Sequence, residues 1–156
     1  MELAGFTAAG SFEDILLNPS RVPDAQGVYA VGFDPSEKPE FLGIGTGGFF
    51  KGQNPNVSVS ELHENWVSGA SVLYFGKAGG TGQKSNLRTR LVAFARFGCG
   101  KRAAHWGGRM MWQIANARSL PVFCRTTSDD PHALKRCLLK GFVSEYGRLP
   151  FANMSG

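Results

Sequence analysis

No acidic residue occurs between Glu64 and Asp129 in this 156-residue chain. The same window holds ten bases: Lys77, Lys84, Arg88, Arg90, Arg96, Lys101, Arg102, Arg109, Arg118 and Arg125. No apolar run approaches the ~18 residues needed to span a bilayer, which excludes a membrane-spanning helix. The N-terminal stretch lacks a basic region ahead of its short apolar run, so it does not read as a secretory signal. Cysteine is scarce: Cys99, Cys124 and Cys137 are odd in number and widely spaced, forming neither a disulfide framework nor a CxxC metal pair. The three histidines, His63, His105 and His132, complete no zinc signature. A reducing, cytoplasmic setting is the expectation from cysteine usage.

What is present is unevenly distributed. Residues 1–73 carry 3 basic against 9 acidic side chains, and residues 74–156 carry 14 against 3. Like charges gathered on one stretch repel unless a partner neutralises them, so the second half points to a polyanion, with nucleic acid ahead of a membrane surface. The length fits one domain. Period-2 apolar patterning predicts strands at 27–33, 71–76 and 121–126, and the glycine-rich stretch 41–56 reads as loop, with a short strand at 41–45 as the alternative. Helices are expected at 12–17, capped by Ser11 and Asp14, and at 60–67, capped by Ser58 and Glu61. Others are expected at 86–97, 105–118 and 131–145, the last started by Asp130 and Pro131. Strands interleaved with helices imply a small α+β (α/β sandwich) domain over 1–156, with 34–70 as an insertion.

On a helical wheel, Leu87, Leu91, Phe94 and Ala95 share one face of helix 86–97. Arg90 falls on the flank of that face. A guanidinium there either snorkels or holds an anion at the core's rim, and its planar fork suits phosphate oxygens. The preceding Gly79-Gly80-Thr81-Gly82-Gln83-Lys84-Ser85 has the layout of a phosphate-binding loop. Gln83 separates Gly82 from Lys84, however, so the nucleotide-hydrolase motif is broken.

Gly27-Val28-Tyr29 on one expected strand and Tyr74-Phe75-Gly76 on the next resemble the paired signature of the GIY-YIG nuclease family. The resemblance continues through Lys77-Ala78 and Asn86-Leu87-Arg88-Thr89-Arg90-Leu91, and closes at Leu149-Pro150-Phe151-Ala152-Asn153, covering roughly residues 26–153. It implies a three-stranded sheet flanked by helices, and hydrolysis of DNA phosphodiesters with one Mg²⁺. Tyr29 and Tyr74 would orient or deprotonate the attacking water, with Lys77 lowering a tyrosine pKa. Arg90 would stabilise charge developing on the phosphate. Asn153 would hold the site together. Lys84, Arg88, Lys101, Arg102 and Arg109 are candidate nucleic-acid contacts, with DNA favoured over RNA.

The chain departs from the family pattern in three ways. Residues 30–73 separate the two signatures, where the family usually has about ten residues; a long surface insertion is thermodynamically tolerable. Phe94 stands where the family often has His or Tyr, leaving His105 as a candidate imidazole. Lys135 falls where the family places its metal-binding glutamate, on a face with Leu134, Leu138, Leu139, Phe142 and Val143. An ammonium cannot ligate a hard cation that takes oxygen donors. Three explanations follow: the register differs by a turn, the protein binds nucleic acid without cutting it, or the Lys135 ammonium stands where the metal would. The expected function is a GIY-YIG-type endonuclease, and the alternative is a catalytically degenerate nucleic-acid-binding module of the same fold. The insertion, acidic overall, is expected to cap the core, touch a partner protein or shield the site.

Overall fold

The computed structural model describes residues 3–102 and 106–154. Four antiparallel strands form one sheet in the order β1-β4-β2-β3, with β1 at Thr7–Ser11, β2 at Gly27–Gly32, β3 at Val72–Ala78 and β4 at Pro121–Thr126. The helices are α1 (Phe12–Leu17), α2 (Val59–Asn65), α3 (Leu87–Phe97) and α4 (Pro131–Tyr146). The mixed α+β class is therefore as the patterning implied. The sheet, however, has four strands rather than three. The extra strand, β1, is made of small residues with little strand propensity, and a bulge at Gly10 (φ +89°) lets it pair with β4.

Local chemistry explains the helix boundaries that the sequence predicts well. Ser11 Oγ accepts the Asp14 N–H, and the Asp14 carboxylate accepts the Ser11 N–H in return. Asn86 and Thr89 make the same reciprocal cap on α3. Asp130 caps α4 ahead of Pro131, and Gly147 ends it in the left-handed region at φ +77°.

The expected helix over 105–118 is not formed. Its described part, from residue 106, carries two short 3-10 turns, Arg109–Gln113 and Ala117–Ser119. Gly108 (φ +78°) and Asn116 (φ +60°) break helical continuity. The buried Gln113 side chain also spends its hydrogen bonds on the insertion, donating to Leu42 O and Val57 O and accepting from Val57 N. The stretch 41–45 is loop, as read, with a single bridge, Phe41 to Ile114, in place of the alternative strand.

Two apolar layers flank the sheet. On one face, α1 and α3 bury Phe12, Ile15, Leu91 and Phe94 against Tyr29, Val31 and Trp112. On the other, α4 buries Leu139 and Phe142 against Ala30, Val72 and Phe75. The stripe expected on α4 is narrower than its pattern: Leu134 and Leu138 are half-buried, and Val143 is 39% exposed. Residues 34–70 cap one end of the first layer, with Phe41 and Trp66 packed on Phe151. No helix among the described residues is long and apolar enough to cross a membrane.

Candidate functional site

Strand register brings the two signatures together. Tyr29 lies directly opposite Gly76, and Tyr74 opposite Val31, so both tyrosines project from one face of the β2–β3 pair. Their ring centroids are 6.0 Å apart. Gly76 is required for this arrangement, because a Cβ there would lie 2.1 Å from Tyr29 Cζ. The Tyr29 ring occupies the space that any side chain at 76 would fill.

A cavity of about 200 Å³ opens where β3 runs into the glycine loop. It is lined by Tyr29, Tyr74, Lys77, Arg90, Lys135 and the loop residues Ala78, Gly79, Gln83 and Ser85. Arg90 reaches it from the first turns of α3, at the rim position that the wheel predicts. Lys135 reaches it from the start of α4, half-buried and inward, as the pattern on that helix implies. Gly79 (φ +86°) turns the chain tightly over Gln26, where a Cβ would come within 2.4 Å of the Gln26 Cβ. The loop is thereby held against the cavity mouth.

Electrostatics separate the roles of these groups. Burial raises Tyr29 well above the ordinary tyrosine value, and the neighbouring Tyr74 oxygen adds to this. The Arg90 charge and its hydrogen bond to Tyr29 act in the opposite direction. Burial also raises Tyr74, against the Arg90 charge and the hydrogen bond from Tyr29. The two hydroxyls are thus neutral at pH 7. This corrects the expectation for Lys77: the cation acting on both tyrosines is Arg90, and desolvation outweighs it. Lys135 is lowered by burial and then by the charges of Lys77 and Arg90. Three cations therefore surround one space whose lining contains no carboxylate.

That donor set does not fit the magnesium that the resemblance implies. Mg²⁺ takes oxygen ligands, commonly from one or two carboxylates. This lining offers only neutral oxygens beside three repelling cations. Among the described residues, no group of three His, Cys, Asp or Glu side chains is placed to hold a metal.

Several expected site residues lie elsewhere. Asn153 is buried on the free edge of β3, where its side-chain amide accepts from Phe75 N at 2.9 Å and donates to Phe75 O at 3.0 Å. It replaces a missing neighbour strand and does not line the cavity, so its part is to position β3. Arg88 donates through Nε to Val22 O at 3.0 Å and pairs with Asp24, at 3.9 Å, which ties it to the fold. Arg109 lies over the Trp106 ring, 4.3 Å from its centroid. Lys84, Lys101 and Arg102 are exposed. His105 lies outside the described residues.

Sequence reasoning passed over Gly107 and Gly108. A Cβ on Gly107 would lie 3.2 Å from the Tyr74 hydroxyl, and one on Gly108 would press on the Tyr74 and Phe94 rings. The adjacent pair of glycines was the available signal for a close backbone approach. The chain matches no protein-family model, no curated protein and no solved structure.

Proposed function

We propose that this chain is a nucleic-acid-binding domain of the GIY-YIG type whose Tyr29–Tyr74–Arg90 cavity seats a DNA phosphodiester. One observation carries the reading: Lys77, Arg90 and Lys135 converge on a single cavity beside two neutral tyrosine hydroxyls, with no acid in the lining. Anions are held by charge-assisted hydrogen bonds, and a guanidinium offers two donors to two phosphate oxygens. The Tyr74 hydroxyl, which accepts the Tyr29 proton, keeps its own as a donor that adds no repulsion. The acid-free window places exposed Lys84, Lys101 and Arg102 on the same half of the chain, where they can follow the backbone of a bound strand.

A second reading, phosphodiester hydrolysis, is favoured by the contact of the Tyr29 hydroxyl with both Tyr74 and Arg90. In that reading the tyrosines orient water towards phosphorus, Arg90 stabilises the added negative charge, and Lys135 balances it from the opposite wall. The water oxygen bonds to phosphorus, the P–O ester bond breaks, and the proton that the water gives up ends on the displaced oxygen.

The test combines DNA binding with nicking of supercoiled DNA, in Mg²⁺, Mn²⁺ or EDTA, for the native chain, Arg90→Ala, Lys135→Glu and Tyr29→Phe. The binding reading expects salt-sensitive affinity that Arg90→Ala weakens. Nicking by the native chain that Tyr29→Phe abolishes establishes the second reading. Absence of binding at low salt overturns both.

A further inference from the structure

The tip of the insertion carries a feature that the phosphate cavity does not use. Phe50 and Gln53 close a tight turn through Phe50 N–H to Gln53 O (3.2 Å) and Gln53 N–H to Phe50 O (2.9 Å), with Lys51 and Gly52 in the left-handed region. The tip is anchored to the far end of the arginine helix: Gly48 N–H donates to Phe97 O at 2.8 Å. A Cβ at Gly48 would come within 2.5 Å of Lys101 O, so the backbones touch. Aromatic rings and cations alternate here. Lys51 Nζ lies 5.3 Å from the Phe50 ring centroid, and the Arg109 guanidinium 4.3 Å from that of Trp106. The Phe50 and Trp106 centroids are 6.1 Å apart. Phe49, the preceding residue in the chain, is 53% exposed.

Tyr74 connects this cluster to the cavity. Gly107, the residue after Trp106, backs onto the Tyr74 hydroxyl. Tyr74 in turn lines the cavity, so it stands between the Gly107 backbone and that space.

We infer that Phe49, Phe50 and Trp106, with Lys51 and Arg109, form a stacking platform for the unpaired bases of a single DNA strand whose phosphate sits in the Tyr29–Tyr74–Arg90 cavity. The inference rests on the phosphate reading above and specifies its substrate as single-stranded. Rings interleaved with cations are what single strands use, because each unpaired base offers a π-face and each linkage a phosphate. A duplex hides those faces within its own stack. The charge around the tip favours one strand as well. Glu61 acts on Arg109 and would oppose the phosphates of a second strand laid against the platform.

The test uses the full chain, a labelled single-stranded DNA 12-mer and the duplex of the same sequence, at low salt. Anisotropy gives affinity, and tryptophan fluorescence reports stacking. The single strand is expected to bind more tightly and to quench fluorescence, with the quench lost in Trp106→Leu. Phe49→Ala removes a solvent-exposed ring, so the thermal midpoint should hold while single-strand affinity falls about ten-fold and duplex affinity stays. Equal affinity for the two forms, unchanged by Phe49→Ala and Trp106→Leu but weakened by Arg90→Ala, overturns the platform and leaves the phosphate reading standing. No binding of either form overturns both.

Discussion

Lys135 concentrates the physical tension of the site. A cation half-buried between Lys77 and Arg90 is unfavourable for the fold, and its lowered pKa reflects that. Its folded-state value lies below its unfolded one, so its contribution to stability improves as pH rises through that interval. Replacing it with a neutral side chain of similar length should therefore stabilise the free protein while weakening its hold on an anion. Lys135→Met is expected to raise the thermal midpoint at pH 7 and to lower DNA affinity severalfold, with calorimetry and anisotropy reading the two effects. A fall in both would show that Lys135 stabilises the fold instead. The tyrosines give the opposite pH sign. Tyr29, Tyr74 and Tyr146 are all raised, the last by partial burial and then by Glu145. An alkaline absorbance titration should show no phenolate below pH ~10, with stability falling above it as the unfolded chain sheds protons first.

At the scale of the element, β3 is an edge strand made safe by side chains from distant sequence. Asn153 satisfies both backbone groups of Phe75, and Ala152 N–H donates to Leu73 O at 2.9 Å. Asn153→Ala would strand two buried groups, costing about 2–4 kcal/mol, and is expected to lower the thermal midpoint by several degrees. Asn153→Asp should not rescue it, since a carboxylate cannot donate to Phe75 O. Across the same strand, Gly76→Ala drives a methyl into the Tyr29 ring. Overpacking of this kind costs about 1–3 kcal/mol and displaces the hydroxyl, so DNA affinity should fall even where the fold survives. A variant that binds DNA normally would show that Tyr29 is not part of the site.

At the scale of the whole molecule, the charge split in sequence is only partly a split in space: Asp24 of the first half pairs with Arg88, and the Asp130 carboxylate lies beside Gly80 of the glycine loop. The basic half supplies α3, the glycine loop and the exposed Lys84, Lys101 and Arg102, and the acidic half supplies the cap formed by residues 34–70. DNA affinity is expected to fall linearly with salt on logarithmic axes. Replacing Lys101 and Arg102 together with Gln should reduce that slope by about 1.4 for a single strand. An unchanged slope would place the strand elsewhere on the molecule.

The sequence by itself determined the four helices with caps or breakers at their ends, three of the four strands, and the group of Tyr29, Tyr74 and Arg90. The helices and strands depend on local chemistry or on a periodicity visible over a few residues, whereas the tyrosines were grouped by the resemblance of their two signatures, with Arg90 marked by the helical wheel as well. Placing Lys135 inward was also legible, because the apolar stripe of α4 surrounds it. Only tertiary structure decided the rest. β1 has no pattern of its own and exists because β4 offers it an edge. Residues 109–119 give up helix because Gln113 satisfies the insertion's backbone. Asn153 and Arg88 are bound to carbonyls and amides that lie 78 and 66 residues away. The tyrosines stay neutral because burial outweighs a nearby cation. Desolvation depends on what the whole chain packs around a group, and no window of sequence contains it.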